Sequence, residues 1–386
     1  MNIALVCERI DPWRGGAETS TLQFARHLAA RGCRVTLVTT SYTQLPPPLA
    51  LHTIRVAPLL RARRALVFAE RADAFVRDNR FDVVHAISPL PSADVYEPRG
   101  GALPEVVRRN VAIRRTPWHR QLKHAAMLAS PKTHVQRTLE RALVRRTRPP
   151  VIIAVSRYVA DQFREHYGLD APTVRVVFNG VDPDTAPPPQ RAADESEIRR
   201  QYELGRYERL ILTVAHNFRL KGVARLIEAV AALATPQRQS MRFVIVGRDN
   251  PTPFVRLARR LGVADRLLWA GATERVTAFY HAADVLVHPT YYDPCSRVVL
   301  EALSAGVPVI TTRLNGAAEV MTDEREGFIL DTPDDVPALA DRLTRLLDDA
   351  FREQCAAAAR ETGRSVGMDR HAGALVAIYR ELCGNR

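Results

Sequence analysis

Cysteine is scarce: Cys7, Cys33, Cys295, Cys355 and Cys383 are the five in 386 residues, with no CxxC pair and no metal-ligand spacing. That excludes a disulfide scaffold and points to reduced thiols in a cytoplasmic chain with no metal site. Long apolar runs are missing too. No stretch approaches the ~18 residues that cross a bilayer. The opening run, Ile3 to Cys7, is too short for a signal-peptide core before Glu8, Arg9 and Asp11. Any membrane contact is therefore expected to be peripheral, on the cytoplasmic face. The glycine loop after the first apolar run, Pro12-Trp-Arg-Gly-Gly-Ala-Glu18, is neither GxGxxG nor GxxxxGK[ST]. This counts against a dinucleotide dehydrogenase and a P-loop ATPase.

What is abundant is positive charge. Lys and Arg number 55 against 42 Asp and Glu, a net +13. The surplus favours an anionic partner: a nucleotide, a nucleic acid or an acidic membrane surface. Short β-rich runs alternate with helical patterns along the whole chain. Asn2–Cys7, Arg34–Thr39, Ile54–Ala57, Asp82–Ala86, Val151–Val155 and Val174–Phe178 read as strands, then Leu210–Ala215, Arg242–Gly247, Leu267–Trp269, Asp284–His288 and Val307–Thr311. Several are almost wholly apolar, as strands buried on both faces are. The alternation implies α/β architecture with two doubly wound Rossmann-like domains. Asn179-Gly and the prolines through Pro189 mark the boundary. The expected domains are 1–182, 183–366, and a C-terminal helix in 367–386 that packs back on the first domain.

Between Arg108 and Arg148 stand twelve Lys and Arg and one acid, Glu140, with Trp118 and Met127 interleaved. The segment reads either as helices with one side on the domain core or as a surface for anionic lipid headgroups. Nucleic acid is the weaker reading, because no zinc-finger or RNP-like motif accompanies the charge.

Three loops carry candidate chemistry. Gly15 and Gly16 let backbone N–H groups approach an anion at a helix start. Arg219 and Lys221 follow the apolar run Leu210–Ala215, on the strand edge where open α/β sheets bind ligands, and could neutralise a departing diphosphate. Asp293 and Glu301 lie eight positions apart, one before a helix start and one inside it, with Ser296 as the expected N-cap. Both carboxylates suit paired hydroxyls, and the N–H groups near Cys295–Val298 suit a phosphate between them.

Asp293-x7-Glu301 followed by Ala302-Leu-Ser-Ala-Gly-Val-Pro-Val-Ile310 resembles the donor-binding signature of the retaining GT-B glycosyltransferases of family 4. Gly15-Gly16, Asn179-Gly-Val-Asp182, Arg219/Lys221, Leu267-Trp-Ala-Gly271 and Ala282-Ala-Asp-Val-Leu-Val-His-Pro289 fit that family in the same order. Phe81-Asp-Val-Val-His85, Pro91-Ser-Ala-Asp-Val-Tyr96 and His166-Tyr-Gly168 resemble its lipopolysaccharide core glucosyltransferase I type. The resemblance implies two domains facing across a cleft, the second holding a nucleotide-sugar and the first a saccharide or glycolipid acceptor. It implies hexose transfer with retention, UDP-glucose as leading donor, and no cofactor or metal. Carried over, Glu301 would bind ribose, Asp293 the sugar, and Cys295, Ser296, Arg297 and Val298 the diphosphate. Arg219 and Lys221 would offset leaving-group charge, Gly15 and Gly16 would face the same phosphate, and Arg275 would meet the base. His85, Asp94 and Glu97 are the acceptor-side candidates.

The chain departs from the family pattern at Asp293, usually Glu, at Cys295-Ser296, usually Phe-Gly, and in the close spacing of Arg219 and Lys221. Gly100 stands where the core glucosyltransferase type has an acid. Two rival readings share the features: a GT-B nucleotide-sugar epimerase, and a non-catalytic basic protein bound to membrane or nucleic acid.

Overall fold

The computed structural model describes residues 1–10, 16–40, 47–57, 61–114 and 116–384. It divides into two compact units, Met1–Gly180 with Met368–Arg386, and Val181–Gly367. The first division thus falls two residues before the boundary expected after Asp182.

The first unit is built on β1 (Asn2–Val6), β2 (Arg34–Thr39), β3 (Ala50–Thr53), β4 (Val83–Ala86), β5 (Val95–Tyr96), β6 (Val151–Ala154) and β7 (Val174–Val176). They form a parallel sheet in the order β3-β2-β1-β4-β5-β6-β7. Its helices are α1 (Gly16–Ala30), α2 (Arg61–Asp78), α3 (Leu103–Ala112), α4 (Pro117–Leu128), α5 (Pro131–Val144) and α6 (Arg157–Tyr167). Ile3 to Val6 are wholly buried, as the central strand of a doubly covered sheet requires. The expected strand at Ile54–Ala57 is not one. The strand lies just before it, at Ala50–Thr53, where a half-buried edge needs no apolar run.

The second unit runs through α7 (Pro188–Gln201), β8 (Arg209–Val214), α8 (Val223–Ala232), α9 (Thr235–Gln239), β9 (Met241–Val246), α10 (Thr252–Arg260), β10 (Leu267–Gly271) and α11 (Val276–Ala282). It continues through β11 (Val285–His288), α12 (Arg297–Ala305), β12 (Val309–Thr312), β13 (Gly327–Leu330), α13 (Val336–Arg345) and α14 (Asp349–Ser365). The strands pair in parallel in the order β10-β9-β8-β11-β12-β13. That is the Rossmann order, with its direction of winding reversed between β8 and β11. The prolines expected to end regular structure open α7 instead. At a first helical position the missing N–H is no loss, since no intrahelical partner exists there.

The last helix, α15 (Met368–Gly384), belongs to the first unit and packs on α1 and β4. Met368, Ala372, Leu375 and Tyr379 enter the same core as Ile3, Leu5, Phe24 and Leu28. Among the described residues no helix is long and apolar enough to cross a membrane.

Candidate donor site at the switch point of the second unit

The loops after β8 and β11 lie side by side at the point where strand order reverses, the place where open parallel sheets bind ligands. Gly222 allows their close approach. Its φ is +71°, and a Cβ there would sit 2.0 Å from the Pro289 carbonyl oxygen. Tyr291 N–H donates to the Leu220 carbonyl across the same seam at 2.9 Å. The geometry delivers Lys221 to Asp293: Nζ lies 2.5 Å from Oδ2 and 3.1 Å from the Tyr292 carbonyl.

Asp293 is mostly buried, and burial alone would raise its pKa. The Lys221 ammonium and the His288 ring, 3.4 Å from Oδ2, override this and hold the carboxyl well below the usual range. Burial pushes His288 down, toward the neutral imidazole. Asn315 braces the turn: its Oδ1 accepts from Ser296 N at 3.1 Å and Ala317 N at 3.0 Å. Neither His288 nor Asn315 was singled out in the sequence. His288 ends an apolar strand, and Asn315 lies outside the motif it supports.

Ser296 occupies the N-cap position of α12, but its side chain caps nothing. Its Oγ faces His288 Nε2 at 3.4 Å. A helix start whose N-cap side chain makes no capping hydrogen bond is a place that attracts anions. Cys295 is buried in the turn. Glu301 lies one helical turn after Arg297, which donates to it at 3.1 Å, and Tyr280 donates to its other oxygen at 3.0 Å. The helix is held by α14, where a Cβ on Gly363 would sit 2.5 Å from the Ser304 Cα.

Arg219 is exposed on the Lys221 loop and makes no ion pair among the described residues. Arg275 is engaged elsewhere: its guanidinium pairs with Glu197 at 2.6 Å and Asp194 at 3.4 Å, both on α7. Gly15 lies outside the described residues, and Gly16 opens α1.

The three acceptor-side candidates of the first unit are each engaged within it. Asp94 precedes β5, at the N-terminal edge of the sheet, and its carboxylate accepts from Val84 N at 2.8 Å. His85 and Glu97 are wholly buried, 3.1 Å apart. Around them close Arg99, donating to Glu97 at 2.7 Å, and the α15 side chains His371 and Tyr379, the latter bonded to His85. Burial would raise the Glu97 pKa, but Arg99 and His85 hold it well below the usual range. This is an internal polar network that ties α15 to β4 and β5. No sequence signal links residues this far apart.

Among the described residues no group of three or more His, Cys, Asp or Glu is placed to hold a metal ion.

Two open parallel sheets in one chain, one of them with a cation–carboxylate pair at its switch point, are the architecture of the GT-B class of α/β protein. The model described as Glycosyltransferase Family 4 matches residues 14–185, and that described as Glycosyl transferases group 1 matches 194–362. Between them they span most of the chain, which belongs to this family of GT-B glycosyltransferases. It is 26% identical over 320 residues to the lipopolysaccharide glucosyltransferase WaaG of Escherichia coli K12, covering 83% of this chain and 82% of that one. The crystal structure of WaaG, described as a glycosyltransferase involved in lipopolysaccharide biosynthesis, superimposes with a TM-score of 0.81 over 98% of this chain and 99% of that one, at 24% identity. HepE of Anabaena, solved with UDP and glucose, has a TM-score of 0.71 at 19% identity, over 99% of this chain and 100% of that one. At those identities the two structures show the fold.

Proposed function

We propose that the protein transfers a hexose, glucose foremost, from a UDP-linked donor to a saccharide or glycolipid acceptor, with retention at the anomeric carbon. The acceptor is of the lipopolysaccharide-core or cell-surface-glycan kind and is assigned to the first unit. One observation carries the reading: the Lys221–Asp293 pair stands at the switch point beside the start of α12, where Ser296 makes no capping hydrogen bond. Cation, helix amides and carboxylate are what a sugar diphosphate needs from one small site. The name of the E. coli relative and the UDP and glucose bound by HepE support the choice of donor.

In this reading Glu301 holds ribose hydroxyls, releasing Tyr280 or Arg297 from one oxygen, and Asp293 holds the sugar. The bond between the anomeric carbon and the diphosphate oxygen breaks. The acceptor oxygen bonds to that carbon on the same face, and its proton passes to the departing phosphate. Lys221, Arg219 and the α12 amides take up the charge released, so the step needs neither a protein base nor a bound metal. Arg275 contributes to the base contact only by leaving Glu197.

The test is thermal unfolding with UDP, GDP, ADP, CMP and NAD in parallel. A ligand at a hundred times its dissociation constant stabilises by about 2.7 kcal/mol. The reading expects a shift with UDP that Glu301→Ala abolishes. A shift with another nucleoside diphosphate alone moves the donor class, and no shift with any of them favours a non-catalytic protein.

The basic segment carries the second half of the proposal, a peripheral site on an anionic membrane. Helix α4 has no buried residue, and Trp118 and Leu122 are 60% and 61% exposed. Exposed apolar side chains among Arg120, Lys123 and Lys132 suit a headgroup interface.

A further inference from the structure

A second cationic site lies in the first unit. A cavity of about 620 Å³ is bounded by the start of α3, the end of α4, one face of α5 and the end of α6. Arg137 and Arg141 of α5, and Arg145 just past its end, recur at every fourth residue along one wall, with His134 beside them. His166 and Tyr167 close the opposite side. No carboxylate lines it.

The acids nearest the walls are already answered. Glu105 is buried under Arg108, Arg109 and His166, at 2.6, 2.6 and 3.2 Å. Glu140 is buried behind Tyr167 and accepts from Tyr167, Tyr96 and the Leu103 N–H. The three arginines, by contrast, form no ion pair among the described residues. Elsewhere in this chain an arginine near an acid generally takes it, as Arg225 and Arg266 do. Three arginines lining one concave space, with no ion-pair partner among the described residues, make it strongly electropositive.

We infer that this cavity binds a phosphate group carried on a larger molecule. Guanidinium forks match phosphate oxygens in pairs, so three of them suit a dianion rather than a single carboxylate. The Thr133 and Thr138 hydroxyls add donors at the same wall. Leu128 and Pro104 at the rim accept the carbon skeleton behind the phosphate. The volume fits a phosphorylated sugar or one headgroup, and is typical of small-molecule sites. The role of the site, though not its existence, rests on the transferase reading: a phosphate on the acceptor, or on the lipid that bears it, anchors that substrate to the first unit.

The test is equilibrium titration of the full chain with glucose 6-phosphate, and sedimentation with phosphatidylcholine vesicles with and without phosphatidic acid. The expected result is saturable binding of one anion per chain, weakened tenfold or more in Arg137→Ala/Arg141→Ala. Glucose 6-phosphate binding should survive in Arg120→Ala/Lys123→Ala on α4 and in Lys221→Ala at the donor loops. Arg137→Lys/Arg141→Lys should recover part of it, which separates lost charge from a lost fold. If glucose 6-phosphate displaces phosphatidic-acid vesicles, the phosphate itself is recognised. If the vesicles bind through the α5 pair and the free sugar phosphate does not compete, the ligand is the lipid headgroup. Equal weakening of glucose 6-phosphate binding by the α4 and α5 pairs, or its loss in Lys221→Ala alone, overturns the site. Titration of the unsubstituted chain with UDP reads the donor proposal separately, so either can fail while the other stands.

Discussion

Lys221 and Asp293 each hold the other in an otherwise unfavourable place. A partly buried ammonium and a partly buried carboxylate are stable there because they are paired. Lys221→Ala should cut turnover by about a hundredfold or more, as removal of one charge-stabilising group does elsewhere, read as kcat with UDP-glucose. It also leaves Asp293 buried without its cation, so its carboxyl should titrate higher. The pair has a pH signature. Asp293 is depressed in the folded chain and titrates near 3.9 when unfolded. Its stabilising contribution is complete above the unfolded value and is lost as pH falls below about 4. The melting temperature of the wild type should therefore drop more steeply between pH 5 and 3 than that of Asp293→Asn. Asp293, Glu301, Lys221 and Arg219 were legible because each sits at a set distance from a strand end or helix start. Their brace, His288 and Asn315, was not, since contact across a sheet edge leaves no local pattern. The burial of His85 and Glu97 was hidden for the same reason: the strand end that places His85 at the ligand edge says nothing of the helix that covers it, α15, nearly three hundred residues on.

At the scale of elements, the seam between the loops after β8 and β11 depends on Gly222. Gly222→Ala places a Cβ against the Pro289 carbonyl in a left-handed backbone. The expected loss is about 2 kcal/mol or more, visible as a melting temperature lowered by a few degrees, with weakened UDP binding. A second device joins α5 to three neighbours. Glu140 is wholly buried, and burial raises it to about 6 despite hydrogen bonds from Tyr167, Leu103 N–H and Tyr96. Unfolded, it titrates near 4.3. The folded chain therefore holds the extra proton between those values, and stability falls as pH rises from about 4.3 to 6, by on the order of 2 kcal/mol. Glu140→Gln should flatten that part of the stability profile. Most buried strands and amphipathic helices were readable from apolar runs, but the four-residue β13, with only Phe328 to Leu330 apolar, was missed. The two-residue β5 was not, because so short a bridge carries no period. β3 was misplaced because Ile54 reads more strongly as strand than the half-buried residues that form it.

At the scale of the molecule, +13 of net charge is unevenly spent, with the α3–α5 region taking the largest share. If α4 lies on anionic lipid, vesicle binding should weaken as salt rises from 0.05 to 0.5 M, since the Debye length shrinks several-fold. Binding indifferent to salt and to lipid charge would remove the electrostatic account. The chain also leaves its first unit at Gly180 and returns to it at Met368. The second unit is thus an insertion, and the strand-like bridge of Val181 to Gly367 closes it at its own base. During synthesis the first unit emerges with Phe24 and His85 uncovered, because the helix that seals them has yet to be made. The inserted unit has every part of its own core before that helix appears. The order of manufacture and the order of completion are therefore opposite: the half that is translated first waits, unsealed, for the half that follows it to finish.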